Sequence, residues 1–552
     1  MRENGRRLKW LALGMALPLA VTACSSGGGE QAGQEAAGKG TEAAAAAKQG
    51  GPLTKYDPPI TIRSTMNETG KDTLAQGDTH ANNVWTRGYE AELGIKVKYD
   101  WIVSEANYND KMNVTLASGD LPDLLKVTPV QFEQLQQAGM LEDLTEVYKT
   151  YASDLVKEFY GAENGAALKP VTKDGKIYAM VSYPGALDSS DMIWIRQDWL
   201  DKLGLGAPKS MQDVIQIAEA FTTNDPDGNG QKDTYGIQLN KDLPINGFLL
   251  GYHAYLETWI KDGGGQLVNG TVQPEVKKGL AELQRLYKAG AIDPEFGVKD
   301  FAKSMEAINA GKAGMFFLPQ WAPFPVKEMI KKDKNVNWVP YPVQSIDDKP
   351  AKTQNHQTLA GVFAVRKGYE HPEALIKLLN FQAEKMFGES AQAERAGYLN
   401  GMTGTGWQNA VVSNLPANKN VKAMEEVVQA LETGDTSKLG LEAKLFYDDI
   451  QAYRKGDLDK WHMERIFGPL SSQSVIKHYR DKNLVVMNEF IYAPTKTMSS
   501  KQATLDKLRA ETFLKIIYGD LPVDDFDKFV ENWKKLGGDQ ITAEVNKTVG
   551  GK

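Results

Sequence analysis

Two hydrophobic periods take turns along this chain. Pro59–Arg63 alternates apolar and polar residues and reads as a short strand. A polar loop through Asn67, Glu68 and Gly70 follows. A helix then starts near Asp78–Asn82, its apolar side running through Val84, Trp85, Tyr89 and Leu93 to a stop at Gly94. Ile95–Tyr99 alternates again, so strand, helix, strand predicts a parallel βαβ unit and an α/β class. A helix near Tyr108–Leu116 stops at Ser118–Asp120 and leads to a third strand over Leu121–Leu125. Lys173-Asp174-Gly175-Lys176 predicts a tight turn between two strands, glycine supplying the positive φ. Met192–Arg196 predicts a buried strand that feeds a helix over Gln197–Leu203, closed by Gly204. Helical stripes over Met211–Phe221, over Val276–Tyr287 ahead of Gly290, and over Phe526–Trp533 ahead of Gly537 predict three core-facing helices. Trp194, Trp199 and Trp533 fall inside these patterns and read as core.

The N-terminus follows another rule. Arg2, Arg6, Arg7 and Lys9 precede an apolar run from Trp10 to Val21, too short to span a bilayer comfortably, and small residues follow. That is a secretory signal over residues 1–23. Cys24 is the only cysteine, and Val21-Thr22-Ala23-Cys24 resembles the lipobox of bacterial lipoproteins, which implies lipidation of Cys24. Residues 24–55 are rich in Gly, Ala, Glu, Gln and Lys, with too few apolar side chains to offset the entropy of ordering. They read as a tether of roughly 30 Å as a random coil.

The remaining chain predicts two or more domains. A hydrophobic content of 41% with 24% charged residues makes it a soluble globular body. The net charge of −7 carries no basic stripe, which argues against nucleic acid. No second apolar run is long enough to cross a membrane, so attachment rests on Cys24. Six scattered histidines without HExxH or CxxC argue against catalytic zinc, and neither a GxSxG elbow nor a P-loop occurs.

One stretch has the spacing of a metal loop. Asp225, Asp227, Asn229 and Asp233 stand at positions 1, 3, 5 and 9 of an EF-hand-like loop, Gly230 at position 6, and Gln231 offers its carbonyl at position 7. The twelfth position is Gly236 instead of the bidentate glutamate, and a strand over Tyr235–Leu239 follows instead of a helix. A structural Ca²⁺ is expected, because three clustered carboxylates repel one another without a cation; a metal-free Asx-turn loop is the alternative.

Several segments together resemble the lipoprotein solute-binding proteins of ABC importers, in the LplA/YtcQ-like branch of extracellular solute-binding protein family 1. They are Ala117–Asp123, Lys173–Ala179, Arg196–Leu205, Gly311–Met315, Phe526–Val530 and Trp533–Gly538. Asp225–Asp233 is similar to the calcium loop of alginate-binding relatives, which have an acid where this chain has Thr234. The resemblance implies a two-lobed α/β fold of the type II periplasmic-binding-protein kind, its lobes joined by hinge segments. The N-lobe would hold residues 56–184 and a return from about 361. The C-lobe would hold residues 192–360 and part of the C-terminal third, whose division after 400 is left open. It also implies a monomer at the outer face of the cell membrane, holding an oligosaccharide for the membrane subunits of an ABC permease.

A sugar cleft needs aromatic platforms for C–H faces and planar polar groups for hydroxyl edges. Trp321 follows the apolar run Met315–Leu318 through Pro319-Gln320, the place where maltose-binding relatives stack a sugar. Trp407 lies beside the glycine-rich Gly401–Gly406, Trp259 precedes Gly263–Gly265, and Tyr183 lies at a lobe crossing. Asn67, Glu68 and Arg87 are the candidate polar partners. A surface-anchored glycosidase or lyase, and a peptide-binding or sensor lipoprotein, stand as alternative readings.

Overall fold

The computed structural model describes residues 50–68, 74–165, 167–182, 187–242, 244–355, 360–388, 397–398 and 406–550. The signal, Cys24, most of the tether, Tyr183 and the glycine-rich 401–405 lie outside them. Residues 50 to 552 form one compact unit.

The opening βαβ unit is present. Strands Ile60–Glu68 and Ile95–Ser104 pair in parallel, joined by a helix over Val84–Leu93 that Asn83 caps with its side chain and the left-handed Gly94 closes. The third strand starts later than its sequence suggests, at Leu124, after the Leu121-Pro122-Asp123 corner. It pairs with Ala360–Val365, which also pairs with Met180–Ser182, both antiparallel. A chain segment more than 200 residues downstream therefore completes this first layer (360 − 127 = 233). Its core includes Trp85, Tyr89, Leu125, Phe363 and Phe381.

A mixed four-stranded sheet forms the second layer, in the order Trp338–Tyr341, Met192–Arg196, Ala313–Leu318, Tyr235–Ile237. It is covered on both sides. Ile193, Ile195, Met315 and Phe317 face one core, whereas Met192, Trp194, Phe316 and Trp338 face another. That two-sided burial is why Met192–Ile195 is an unbroken apolar run. Helices Met211–Thr223, Pro274–Lys288 and Lys496–Tyr518 cover the first side. Pro323–Lys332, Lys419–Thr433 and Trp461–Phe467 cover the second.

Core membership changes between Val181 and Leu187, between Ala351 and Val362, and between Val412 and Val421, which makes three passages between the first core and the other two. The tight turn at Asp174-Gly175 has positive φ at both residues, and Trp194, Trp199 and Trp533 are buried. The predicted strand Tyr235–Leu239 ends at Ile237.

Candidate functional site

In an α/β sheet, ligand-binding groups gather where strands end, because backbone and helix starts open there. The first layer has such an edge. Arg63 N–H donates to Asp123 Oδ2 (2.9 Å), Ser64 Oγ to Leu124 O (3.2 Å), and Lys126 Nζ to Asn67 Oδ1 (3.0 Å). The partners advance together, so Leu124–Val127 runs alongside Ile60–Glu68 in the same direction. Asn67, Glu68, Ser104 and Thr128 thus share one edge. A cavity of about 200 Å³ opens there, lined by Asn67, Glu105, Tyr108, Lys126, Thr128 and Gly361. The Tyr108 hydroxyl donates to Lys126 O (3.1 Å) and receives Thr65 Oγ1 (2.7 Å). Burial holds the Lys126 ammonium below the usual lysine range, with Glu105 opposing. Gly361 has φ +51° at a bulge in the strand Ala360–Val365.

The four-stranded sheet has an edge of its own. Ala313–Leu318 and Tyr235–Ile237 are parallel, and their ends lead into Gln320-Trp321 and Gln238–Lys241. Trp321 is 37% exposed and meets Phe301 edge-on at 5.9 Å. Its loop is held from behind. Gln320 O accepts Ser472 Oγ (3.2 Å), and Gln320 Oε1 accepts Gln473 Nε2 (3.2 Å). Gln473 Nε2 also reaches Asp188 (3.3 Å), to which Asn420 donates at 2.6 Å. Burial pushes the Asp188 carboxyl up, against those two amides. The Trp321 loop is therefore tied to residues at two of the three passages.

Two further cavities lie along the helix Pro129–Gln137, whose start Thr128 and Gln131 cap reciprocally. A cavity of about 610 Å³ is lined by Val130 from that helix and by Trp259, Asn488, Phe490, Tyr492 and Arg509. A second, of about 390 Å³, lies between Phe132 and Lys173 on one side and Tyr492, Pro494 and Glu544 on the other. Trp259 is mostly core: it is 5% exposed, edge-on to Phe490 at 6.3 Å. Arg509 pairs with Glu257 across the same wall.

Other sequence candidates fall elsewhere. Trp407 sits half-buried against the first core in a turn over Gly406–Asn409, pinned by Trp85 Nε1 on Gly406 O (3.0 Å). Arg87 is outside the Asn67 cavity and forms an exposed pair with Asp78 (2.8 Å), which holds its guanidinium above the usual range. Glu68 is exposed at the strand end. Lys126, Tyr108, Phe490 and Tyr492 were missed. Position at the end of the third strand could have found the first; nothing local marks the others.

The Asp225–Asp233 loop is built from its own hydrogen bonds. Asp225 Oδ1 accepts the N–H groups of Gly228 (3.0 Å) and Asn229 (3.1 Å), and Oδ2 that of Gly230 (3.0 Å). These N–H groups, Gly230 foremost, hold the Asp225 carboxyl below the usual range. Burial and then Asp225 push Asp227 up. Asn229 Nδ2 braces Asp227 Oδ2 (2.8 Å) and Asp233 Oδ1 (3.2 Å), while Lys312 pairs with Asp233 and lowers it. The donors are all oxygens, which suits a hard cation. In this arrangement no three His, Cys, Asp or Glu among the described residues are set to hold a metal together. Thr234 is turned inward, its hydroxyl donating to Phe221 O (2.7 Å), so it is no ligand.

The family profile described as bacterial extracellular solute-binding protein matches residues 71–386. The polygalacturonan/rhamnogalacturonan-binding protein YtcQ of Bacillus subtilis (strain 168) is 25% identical over 80% of this chain and 83% of its own length. A solute-binding protein of Bifidobacterium longum infantis, titled as binding HMO and associated with an ABC transporter, superposes with a TM-score of 0.59 at 18% identity, covering 89% of this chain and 98% of that one. The ABC-transporter substrate-binding protein FusA of S. pneumoniae, solved as an EF-hand mutant with fructo-nystose, gives 0.55 at 16% identity over 89% and 99%. Fold, strand-end geometry and profile agree: the chain belongs to the bacterial extracellular solute-binding proteins, which hold a solute and do not transform it.

Proposed function

We propose that this protein is a lipid-anchored binding protein that captures an oligosaccharide between two lobes and delivers it to an ABC permease. The first core is the N-lobe, and the two cores flanking the four-stranded sheet make the C-lobe, with the three passages as hinges. The observation that carries the reading is the matched pair of strand-end edges. One offers a polar cavity with Asn67 and Lys126, the other an exposed aromatic at Trp321. A flat apolar ring and a set of hydrogen-bonding groups are what a sugar's faces and hydroxyl edges require. The sugar ligands in the names of YtcQ and FusA point the same way.

Binding stabilises the closed form in proportion to its differential affinity, and the closed form docks on the permease as a monomer. Cys24 carries the lipid at the outer face of the membrane, and residues 24–55 are the tether. A structural Ca²⁺ is held by Asp225, Asp227, Asn229, the Gln231 carbonyl and Asp233, with Asn229 turning its amide oxygen inward. Its role is to tie the helix Met211–Thr223 to the strand Tyr235–Ile237.

The test uses the chain from residue 24 with Cys24→Ser. Tryptophan fluorescence and product formation are followed with galacturonan, rhamnogalacturonan, fructan and maltodextrin oligosaccharides. Saturable quenching without turnover is expected. Repeated turnover would replace this reading with the carbohydrate-active enzyme.

A further inference from the structure

Among the described residues, the only exposed Phe and Trp side chains are Phe301, Trp321 and Phe324, at 38, 37 and 49%. All three are neighbours. Phe301 meets Trp321 at 5.9 Å, and Phe324 opens the next helix with its N–H on Trp321 O (3.1 Å). The Phe324 ring lies 5.0 Å from His462. Leaving aromatic surface in water costs roughly 25 cal/mol per Å². A fold that buries its other Phe and Trp rings wholly or in part and gathers these three at one strand-end edge has a binding surface there. The patch is also continuous with Trp321, the aromatic of the proposed sugar cleft.

We propose that Phe301 and Phe324 extend Trp321 into a row of stacking subsites. The ligand is then an oligosaccharide of several units laid across the cleft rim, not a mono- or disaccharide enclosed within it. This rests on the oligosaccharide reading above.

The experiment measures affinity by calorimetry for dimers through octamers of the same four oligosaccharide series. It compares the unaltered chain with Phe324→Ala, Phe301→Ala and Trp321→Ala. Exposed positions tolerate truncation, and circular dichroism and thermal unfolding check each variant. Affinity of the unaltered chain is expected to rise about tenfold from dimer to hexamer, by stacking on the added rings. Phe324→Ala removes most of that gain and changes dimer affinity less than about twofold; Phe301→Ala does so in part. Trp321→Ala weakens every length. Length-independent affinity, or Phe324→Ala weakening dimer and hexamer alike, overturns the row of subsites while leaving the oligosaccharide reading intact. Unchanged affinities with lost uptake through the reconstituted permease assign the patch to a permease contact and also overturn it. No binding at any length in any series overturns both.

Discussion

A Cβ on Gly236 would lie 2.2 Å from the carbonyl oxygen of Ala218, because the strand Tyr235–Ile237 is pressed against the helix Met211–Thr223. The twelfth position of the loop therefore has no room for a side chain, let alone a metal-binding one. Gly236→Glu, which would restore an EF-hand consensus, is expected to destabilise the protein by at least about 1–3 kcal/mol without tightening calcium binding. Thermal unfolding with and without calcium measures both. Single residues also show how far local reading reaches. Trp321 and Trp259 both stand near turn-forming residues, and both were candidates for an exposed platform. Only Trp321 is exposed; the segment Asn488–Phe490, more than two hundred residues away in sequence, covers Trp259 (488 − 259 = 229). Covering of that kind leaves no trace in neighbouring residues.

At the scale of elements, two ties bear on stability. The helix Asp539–Gly550 braces the start of Lys496–Tyr518 through Glu544, which accepts Thr497 N–H (3.1 Å) and Thr497 Oγ1 (2.6 Å). Burial works against its charge, but the hydroxyls of Thr495 and Thr497, the Thr497 N–H and Gln540 hold the carboxyl at about 2. A folded pKa below the unfolded one contributes stability above pH 4–5 that is lost as pH falls towards 2. Glu544→Gln should cost about 1.5–3 kcal/mol at pH 7, and the difference should shrink on acidification. Urea unfolding across pH reads it. The second tie is the loop Asp225–Asp233. Calcium at one hundred times its dissociation constant should stabilise the protein by about 2.7 kcal/mol. Asp227→Ala should abolish that increment. An increment of zero in the unaltered chain would mean that Asn229 and Lys312 balance the carboxylates unaided.

For the whole molecule, closure is the expected response to ligand. Small-angle scattering should show a smaller radius of gyration with a bound hexasaccharide than without, and no change with a non-binding sugar. Asp188 ties two passages to the Trp321 loop, so Asp188→Ala should weaken binding severalfold with little change at the Asn67 edge. Sequence periodicity by itself determined the α/β class, the opening βαβ unit, the buried strand Met192–Arg196 and the glycine stops at Gly94, Gly119 and Gly204, whereas the first helix starts at Val84, later than the expected Asp78–Asn82. In each, the deciding interactions lie within a few residues: a cap, a left-handed glycine, an alternating face. Family resemblance added the kind of protein. Only the tertiary structure decided that Ala360–Val365 completes the first layer and that Lys126 reaches Asn67. It alone brought Phe490 and Tyr492 to a wall with Trp259, and Phe301 to Trp321. A hydrophobic pattern states which face of an element will be covered, but the covering partner comes from distant chain, and its identity is set by packing that no local pattern records.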